Sequence, residues 1–73
     1  MPEKTYILKG TIYDEKQELV SGAVVTVTEV DPLSKTTKFL GYTITDINGY
    51  YLIAIEAFED KFYELGIFPP LNS

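Results

Sequence analysis

The sequence predicts a small all-β domain of about five antiparallel strands. Glycine and proline divide the 73 residues into short runs that are rich in β-branched and aromatic side chains. The connectors between these runs are too short for the crossovers that parallel strands need, so antiparallel pairing is expected. No window has convincing helical periodicity, although Ile55–Phe62 has room for one helical turn. Short strands at this spacing indicate a sandwich or a barrel.

The first two predicted strands lie on either side of an acidic connector. The first covers Thr5–Tyr13, where isoleucine and leucine stand among β-favouring tyrosine and threonine. The second covers Ala23–Val30, and its sequence AVVTVTEV is the strongest strand pattern in the chain. Because side chains alternate along a strand, Ala23, Val25 and Val27 share one face. The opposite face mixes valine with threonine.

The last three predicted strands are Phe39–Thr45, Tyr50–Glu56 and Phe62–Phe68. A strand with one face in solvent alternates apolar and polar residues. The fourth and fifth strands are instead apolar on both faces, which is the most informative feature of this half of the chain. One face of the fourth strand carries Tyr51, Ile53 and Ile55, and one face of the fifth carries Tyr63, Leu65 and Ile67.

The composition bounds the size and the chemistry of the domain. Residues 1–73 are enough for a single domain, and a chain this short buries only a modest core. Cysteine and histidine are both absent, so neither a disulfide nor an ordinary structural zinc site supports the fold. Good packing or oligomerisation is therefore the expected support.

The charge pattern argues against nucleic acid as a partner. All six basic residues are lysine, and the net charge is −5. Negative charge repels phosphate backbones, and arginine, the residue that best reads bases and phosphates, is missing. No stretch is long and apolar enough to span a bilayer, and the N-terminus has no signal-peptide pattern. These observations leave the compartment open.

Three motifs follow one another along the chain. They are a Gly-x-Val/Ile-x-Asp strand end, a Leu/Val-x-Gly-Ala segment that leads a valine-rich strand, and a Thr-Asp-x-x-Gly-x-Tyr turn before an alternating strand. The residues that form them are Gly10, Ile12 and Asp14, then Leu19, Gly22, Ala23, Val25 and Val27, then Thr45, Asp46, Gly49, Tyr51, Ile53 and Ile55.

In order and spacing these motifs resemble the carboxypeptidase regulatory-like domain, a small sandwich related in fold to transthyretin (prealbumin). The resemblance covers most of the chain and implies a Greek-key-like antiparallel β-sandwich. In carboxypeptidases this domain is an accessory without catalytic residues, and elsewhere the family resembles spacers, stalk repeats and adhesion modules.

The chain departs from the family pattern at two places. The first turn reads Glu15–Leu19, where the family prefers a central glycine, so a distorted turn is expected. The sequence also ends after the fifth predicted strand, where the family has one or two more. A missing strand predicts an unpaired sheet edge, which proteins normally cover.

The available side chains predict a protein that is not an enzyme and that uses no cofactor. Without histidine and cysteine, a serine triad lacks its base and a cysteine nucleophile is missing. A glycosidase-like carboxylate pair among Glu29, Glu56 and Glu64 is the remaining catalytic alternative. A fold this small has too few residues to enclose the pocket that such a pair needs.

The acidic turns offer a calcium-dependent module as one alternative. Asp46 with Asn48, or Asp14 with Glu18, supplies oxygen ligands of the kind that calcium takes. The 46–49 segment lacks the downstream bidentate glutamate of a full calcium loop. A tight hairpin turn, in which Asn48 and Gly49 tolerate positive φ, is the preferred interpretation, and no metal site is predicted.

The outward residues of the last two strands are the predicted partner-binding site. An exposed apolar patch on a small domain indicates a partner surface, here a second copy or an adjacent domain. A sugar or peptide stacking on exposed tyrosine and phenylalanine is an alternative, and cover from the Asp31–Lys38 connector is another. The predicted site comprises Tyr50, Leu52, Ala54, Phe62 and Phe68.

Overall fold

The computed structural model describes residues 4–70 as five antiparallel strands, and no residue in this range is helical. The all-β prediction is confirmed. The single helical turn offered for Ile55–Phe62 is wrong, because the fourth strand continues through Ala57. The strands are β1 (Lys4–Thr11), β2 (Val24–Asp31), β3 (Thr36–Ile44), β4 (Tyr50–Ala57) and β5 (Phe62–Phe68).

The strands form two sheets. One contains β1 paired with β4, and the other has the order β3-β2-β5. Only β2 and β3 are neighbours both in sequence and in a sheet, whereas β1 pairs with β4 and β5 pairs with β2, each three elements away along the chain. The arrangement is sandwich-like, with β4 lying against β3 where the sheets meet.

The core lies between the two sheets. Val25 and Val27 of β2 are fully buried, and Ile55 and Ala57 of β4 pack against Val27 from the other sheet. The prediction that Ala23, Val25 and Val27 share one face is confirmed, and that face is the buried one. The partly buried side chains that complete the core come from the remaining strands and from β4, namely Leu8, Leu40, Ile53 and Tyr63.

A bulge in β3 directs one extra residue into this core. Val27 pairs with Gly41 and Thr28 pairs with Phe39, so Leu40 has no residue opposite it. Leu40 packs against the core, whereas Phe39 stays exposed on the other side of the sheet. Because a bulge adds one residue, it resets the alternation that sequence patterns rely on.

The first connector and the β3–β4 connector form the same turn. In each, the amide of the leading aspartate donates to the carbonyl four residues on, at 2.9 Å, in Asp14 and in Asp46 alike. The carboxylate of each aspartate also accepts two amide hydrogen bonds from residues two and four positions later. The left-handed position is Gln17 (φ 67°) in one turn and Gly49 (φ 73°) in the other.

This geometry corrects two predictions about the turns. The Glu15–Leu19 turn is not distorted, since Gln17 takes the left-handed conformation in place of glycine. In the second turn only Gly49 has positive φ, and Asn48 does not. The second turn is also not a hairpin, because β3 and β4 belong to different sheets.

A buried threonine joins the two turns. The Thr45 hydroxyl accepts the Ala23 amide at 2.9 Å and donates to the Val20 carbonyl at 2.7 Å. Thr45 itself is 4 % exposed, so these bonds satisfy a polar group that water cannot reach. The Ile12 amide donates to the Gly49 carbonyl at 2.8 Å, which ties the end of β1 to the same junction.

The β4–β5 connector is held by a tyrosine and an ion pair. The Tyr63 hydroxyl accepts the Phe58 amide at 2.8 Å and donates to Glu29 at 3.0 Å. Nearby, Lys61 pairs with Asp31 at 3.2 Å. The pKa of Asp31 lies below its ordinary value, first because the amide of the residue at position 33 donates to its carboxylate and then because of Lys61.

Candidate protein-contact surface

The three-stranded sheet has one face that points away from the core. Val25 and Val27 point inward, so their neighbours along β2 point outward. Residues that stand opposite each other in a ladder share a face, which extends this assignment to β3 and β5. The residues so placed, called the outer face below, are Val24, Thr26, Thr28 and Val30 of β2, Thr37, Phe39, Tyr42 and Ile44 of β3, and Phe62, Glu64, Gly66 and Phe68 of β5.

The outer face is apolar and open to solvent. The side chains of β2 in its centre are half-buried valines and threonines. Among these twelve positions only Glu64 carries a charge, although the chain as a whole has a net charge of −5. Its large apolar members are between 54 % and 64 % exposed: Phe39, Tyr42, Ile44, Phe62 and Phe68.

The area of the outer face follows from the spacing of its strands. Three strands spaced about 4.8 Å apart, each with roughly seven residues at about 3.3 Å, cover on the order of 300 Å². Monomeric proteins rarely expose a contiguous apolar patch above a few hundred Å² without a function for it. The outer face is thus comparable in area to the largest apolar patch of a typical monomer.

The five residues predicted as a partner site do not lie on one surface. Phe62 and Phe68 are on the outer face, opposite Val30 and Val24 respectively. The other three predicted residues are also exposed, but they lie on the outward side of the β1–β4 sheet. The division arises because β4 and β5, although consecutive, belong to different sheets. The three residues on that other sheet are Tyr50, Leu52 and Ala54.

The outward side of the β1–β4 sheet is more mixed than the outer face. Ile7 and Leu52 are exposed there, at 60 % and 52 %. Lys9 stands opposite Leu52, and Thr5 donates a 2.7 Å hydrogen bond to Glu56 on the same side. Charged and polar groups therefore interrupt the apolar residues, as is usual on a solvated sheet face.

Sequence reasoning missed the three large apolar residues that β3 contributes to the outer face. Phe39, Tyr42 and Ile44 all lie in a segment that was predicted as a strand but was not singled out for binding. The alternation of side chains along a strand puts Tyr42 and Ile44 on the same face. The bulge at Leu40 breaks that alternation, so Phe39 joins them only once the register is known.

The inward side of β5 is not fully covered by the second sheet. Leu65 and Ile67 stand opposite the buried Val27 and Val25, yet they are 46 % and 55 % exposed. The second edge of β5 has no paired strand among residues 4–70. The expected unpaired edge is thus present at β5.

Most of the carboxylates considered for metal or catalysis have structural partners. Asp14 and Asp46 accept amides in their turns, Glu29 accepts the Tyr63 hydroxyl, and Glu56 accepts the Thr5 hydroxyl. Glu29 and Glu56 line one groove of about 520 Å³ beside β3, and Glu64 lies apart from them on the outer face. Residues 4–70 contain no group of three acidic side chains placed to hold a metal ion.

Within residues 4–70 there is no helix with the length and apolar character that a membrane crossing requires. Compared with models of protein families, with curated proteins and with solved structures, the chain gives no match.

Proposed function

We propose that the protein is a non-catalytic structural or assembly module that contacts another protein through the outer face. The observation that carries this proposal is the set of exposed aromatic and aliphatic side chains on β3 and β5, among which Glu64 is the single charge. Large apolar side chains in water cost free energy, and a partner that covers them recovers it.

The chemistry of the outer face favours a protein partner with a matching apolar surface. The face offers no cationic group to a phosphate, and the acidic chain repels nucleic acid and anionic lipid headgroups. A surface depleted of charged residues and enriched in aromatic ones has the composition of a protein–protein interface. Aromatic residues such as Phe39, Tyr42 and Phe62 are the type that anchors such contacts.

We also propose that the chain belongs to the carboxypeptidase regulatory-like domains, on the strength of the motifs and of what they do in the fold. Thr45 and Gly49 belong to the third motif, and they join it to Ile12 of the first and Ala23 of the second. The hydrogen bonds at this one junction therefore give residues of all three motifs a structural role. An accessory domain without catalytic residues fits the contact role.

Site-specific photocrosslinking tests the contact role. A photoreactive phenylalanine analogue replaces Tyr42, which lies in the middle of the outer face on β3 and is 62 % exposed. The matched control places the same analogue at Ile47, which is 85 % exposed in the β3–β4 turn and off the outer face. Both proteins are produced in the source cells and irradiated there.

The proposal expects a discrete protein adduct from Tyr42 and none from Ile47. An adduct whose crosslinked peptide maps to an apolar surface of the partner supports the proposal. Equal, diffuse labelling from the two positions contradicts it, because a solvated face and an exposed turn then behave alike. Labelling of lipid from Tyr42 also contradicts it.

A further inference from the structure

We propose that a second copy of this chain pairs with the free edge of β5, antiparallel and about a two-fold axis through Leu65. The two three-stranded sheets then form one continuous six-stranded sheet. This inference rests on the proposed function, which is that the chain acts through contact with a protein. It specifies a second copy as the partner and gives the register in which the two β5 edges pair.

β5 has few of the devices that protect sheet edges. Native edge strands are blunted by charged side chains, above all lysine, and by proline, bulges or cover. The β3 edge has the Leu40 bulge and Lys38, and β1 carries Lys4 and Lys9. Seven residues of β5, Phe62–Phe68, run without a bulge, a lysine or a proline.

The sequence of β5 is complementary to itself in this register. With Leu65 on the axis, Phe62 of one copy stands opposite Phe68 of the other, and Tyr63 stands opposite Ile67. Aromatic pairs and aromatic–β-branched pairs are the favourable cross-strand combinations in antiparallel sheets.

The charges fit the same register. Glu64 is the single charged residue of β5. With Leu65 on the axis, Glu64 of one copy stands opposite Gly66 of the other, so the two carboxylates are not directly opposed. A glycine is required at position 66 in any case, because a Cβ there would lie 2.7 Å from the Thr26 hydroxyl.

The inward side of β5 is partly exposed to solvent. Leu65 and Ile67 face the interior of the sandwich but remain 46 % and 55 % exposed, since the β1–β4 sheet does not reach over them. In the paired form Leu65 of one copy contacts Leu65 of the other, and Ile67 contacts the partner's tyrosine at position 63. The pairing therefore covers apolar surface that a single chain leaves in water.

The pairing also enlarges the outer face. A standard interface buries about 800 Å² on each partner, whereas one outer face offers on the order of 300 Å². Two copies joined at β5 place their outer faces side by side and give on the order of 600 Å². The paired form is thus closer to what a stable contact with a third protein needs.

A charge-swap experiment tests the axis at Leu65. Sedimentation velocity of the full chain, from micromolar to millimolar concentration, is expected to give a dimer. Leu65→Lys and Leu65→Glu each place like charges across the axis, so each variant alone is expected to be a monomer. Equal amounts of the two variants are expected to restore the dimer, now as a heterodimer. Ile47→Lys, at a position 85 % exposed in the β3–β4 turn and away from the β5 edge, is the matched control and stays dimeric.

Three results would overturn the inference: a wild-type monomer at every concentration, a dimer that survives in Leu65→Lys alone, or a mixture of the swapped variants that stays monomeric. Circular dichroism checks that each variant is folded. If either Leu65 variant unfolds, Ile67→Lys, at a position 55 % exposed, replaces it and must also abolish the dimer. A wild-type monomer that still crosslinks through Tyr42 to a different protein removes only this inference and leaves the proposed function standing.

Discussion

At the scale of single residues, three aspartates and the residues that follow them set the connectors. Asp14, Asp31 and Asp46 each begin a turn in which their carboxylate accepts backbone amides. Each turn then needs a left-handed residue, which is Gln17 in the first and Gly49 in the third. The aspartate and glycine positions were predictable, because their turn chemistry is local. The left-handed glutamine was not, since nothing in its own side chain favours that conformation.

Gln17→Gly is expected to stabilise the protein, and Gly49→Ala to destabilise it. Glycine relieves the left-handed strain at position 17 but adds disorder to the unfolded chain, for a net gain of roughly 0.5–1 kcal/mol. At Gly49 a Cβ would lie 3.1 Å from the Ile12 carbonyl oxygen and from the Val20 amide nitrogen, so a cost of about 1–3 kcal/mol is expected. Urea unfolding measures both free energies. A loss of stability in Gln17→Gly would contradict the proposed equivalence of the two turns.

At the scale of elements, the strands were more predictable than the way they assemble. The bounds of β5 were predicted to the residue, and β2 to within one residue at each end, because both have dense β-favouring sequences. The start of β3 at Thr36 was missed, since its first residues are polar and read as connector. The apolar residues on both faces of β4 and β5 correctly indicated that large apolar side chains of these strands are exposed to solvent. They did not reveal that the two strands lie in different sheets.

Tyr63→Phe is expected to loosen the β4–β5 connector. The change removes the acceptor of the Phe58 amide and the donor to Glu29, in a partly buried place. Lost hydrogen bonds of this kind cost about 1–3 kcal/mol. Tyr42→Phe, which removes a hydroxyl from an exposed ring on the outer face, is the control and should change the unfolding free energy little. Equal effects in the two variants would contradict the role given to Tyr63.

The raised pKa of Tyr63 predicts how the stability of the fold changes at alkaline pH. Removal from water, and then the hydrogen bond to Glu29, raise the pKa of Tyr63 above its ordinary 10.0. A raised folded-state pKa gives a stabilisation that is complete below pH 10 and is lost as the pH rises through the folded value. The stability difference between wild type and Tyr63→Phe should therefore shrink at the alkaline end of a urea-midpoint titration.

At the scale of the whole molecule, non-local pairing creates the outer face. Its residues come from three strands, and β5 reaches β2 only after the chain has crossed to the other sheet and back. Sequence alternation gives the two faces of one strand but not which strands share a sheet. For that reason only two of the predicted partner-binding residues, Phe62 and Phe68, fall on the outer face. The residues that β3 contributes to this face were not predicted to belong to the same surface.

The measurement that tests the central claim most directly is the yield of the Tyr42 photocrosslink in a chain that also carries Phe39→Thr and Ile44→Thr. Threonine keeps the strand preference while it removes the large apolar groups on either side of the probe. Because both positions are more than half exposed, the unfolding free energy should stay within about 1 kcal/mol of the wild-type value. The account predicts that the crosslink is lost while the fold remains stable. A crosslink of undiminished yield in this folded variant would contradict the claim that the outer face binds the partner.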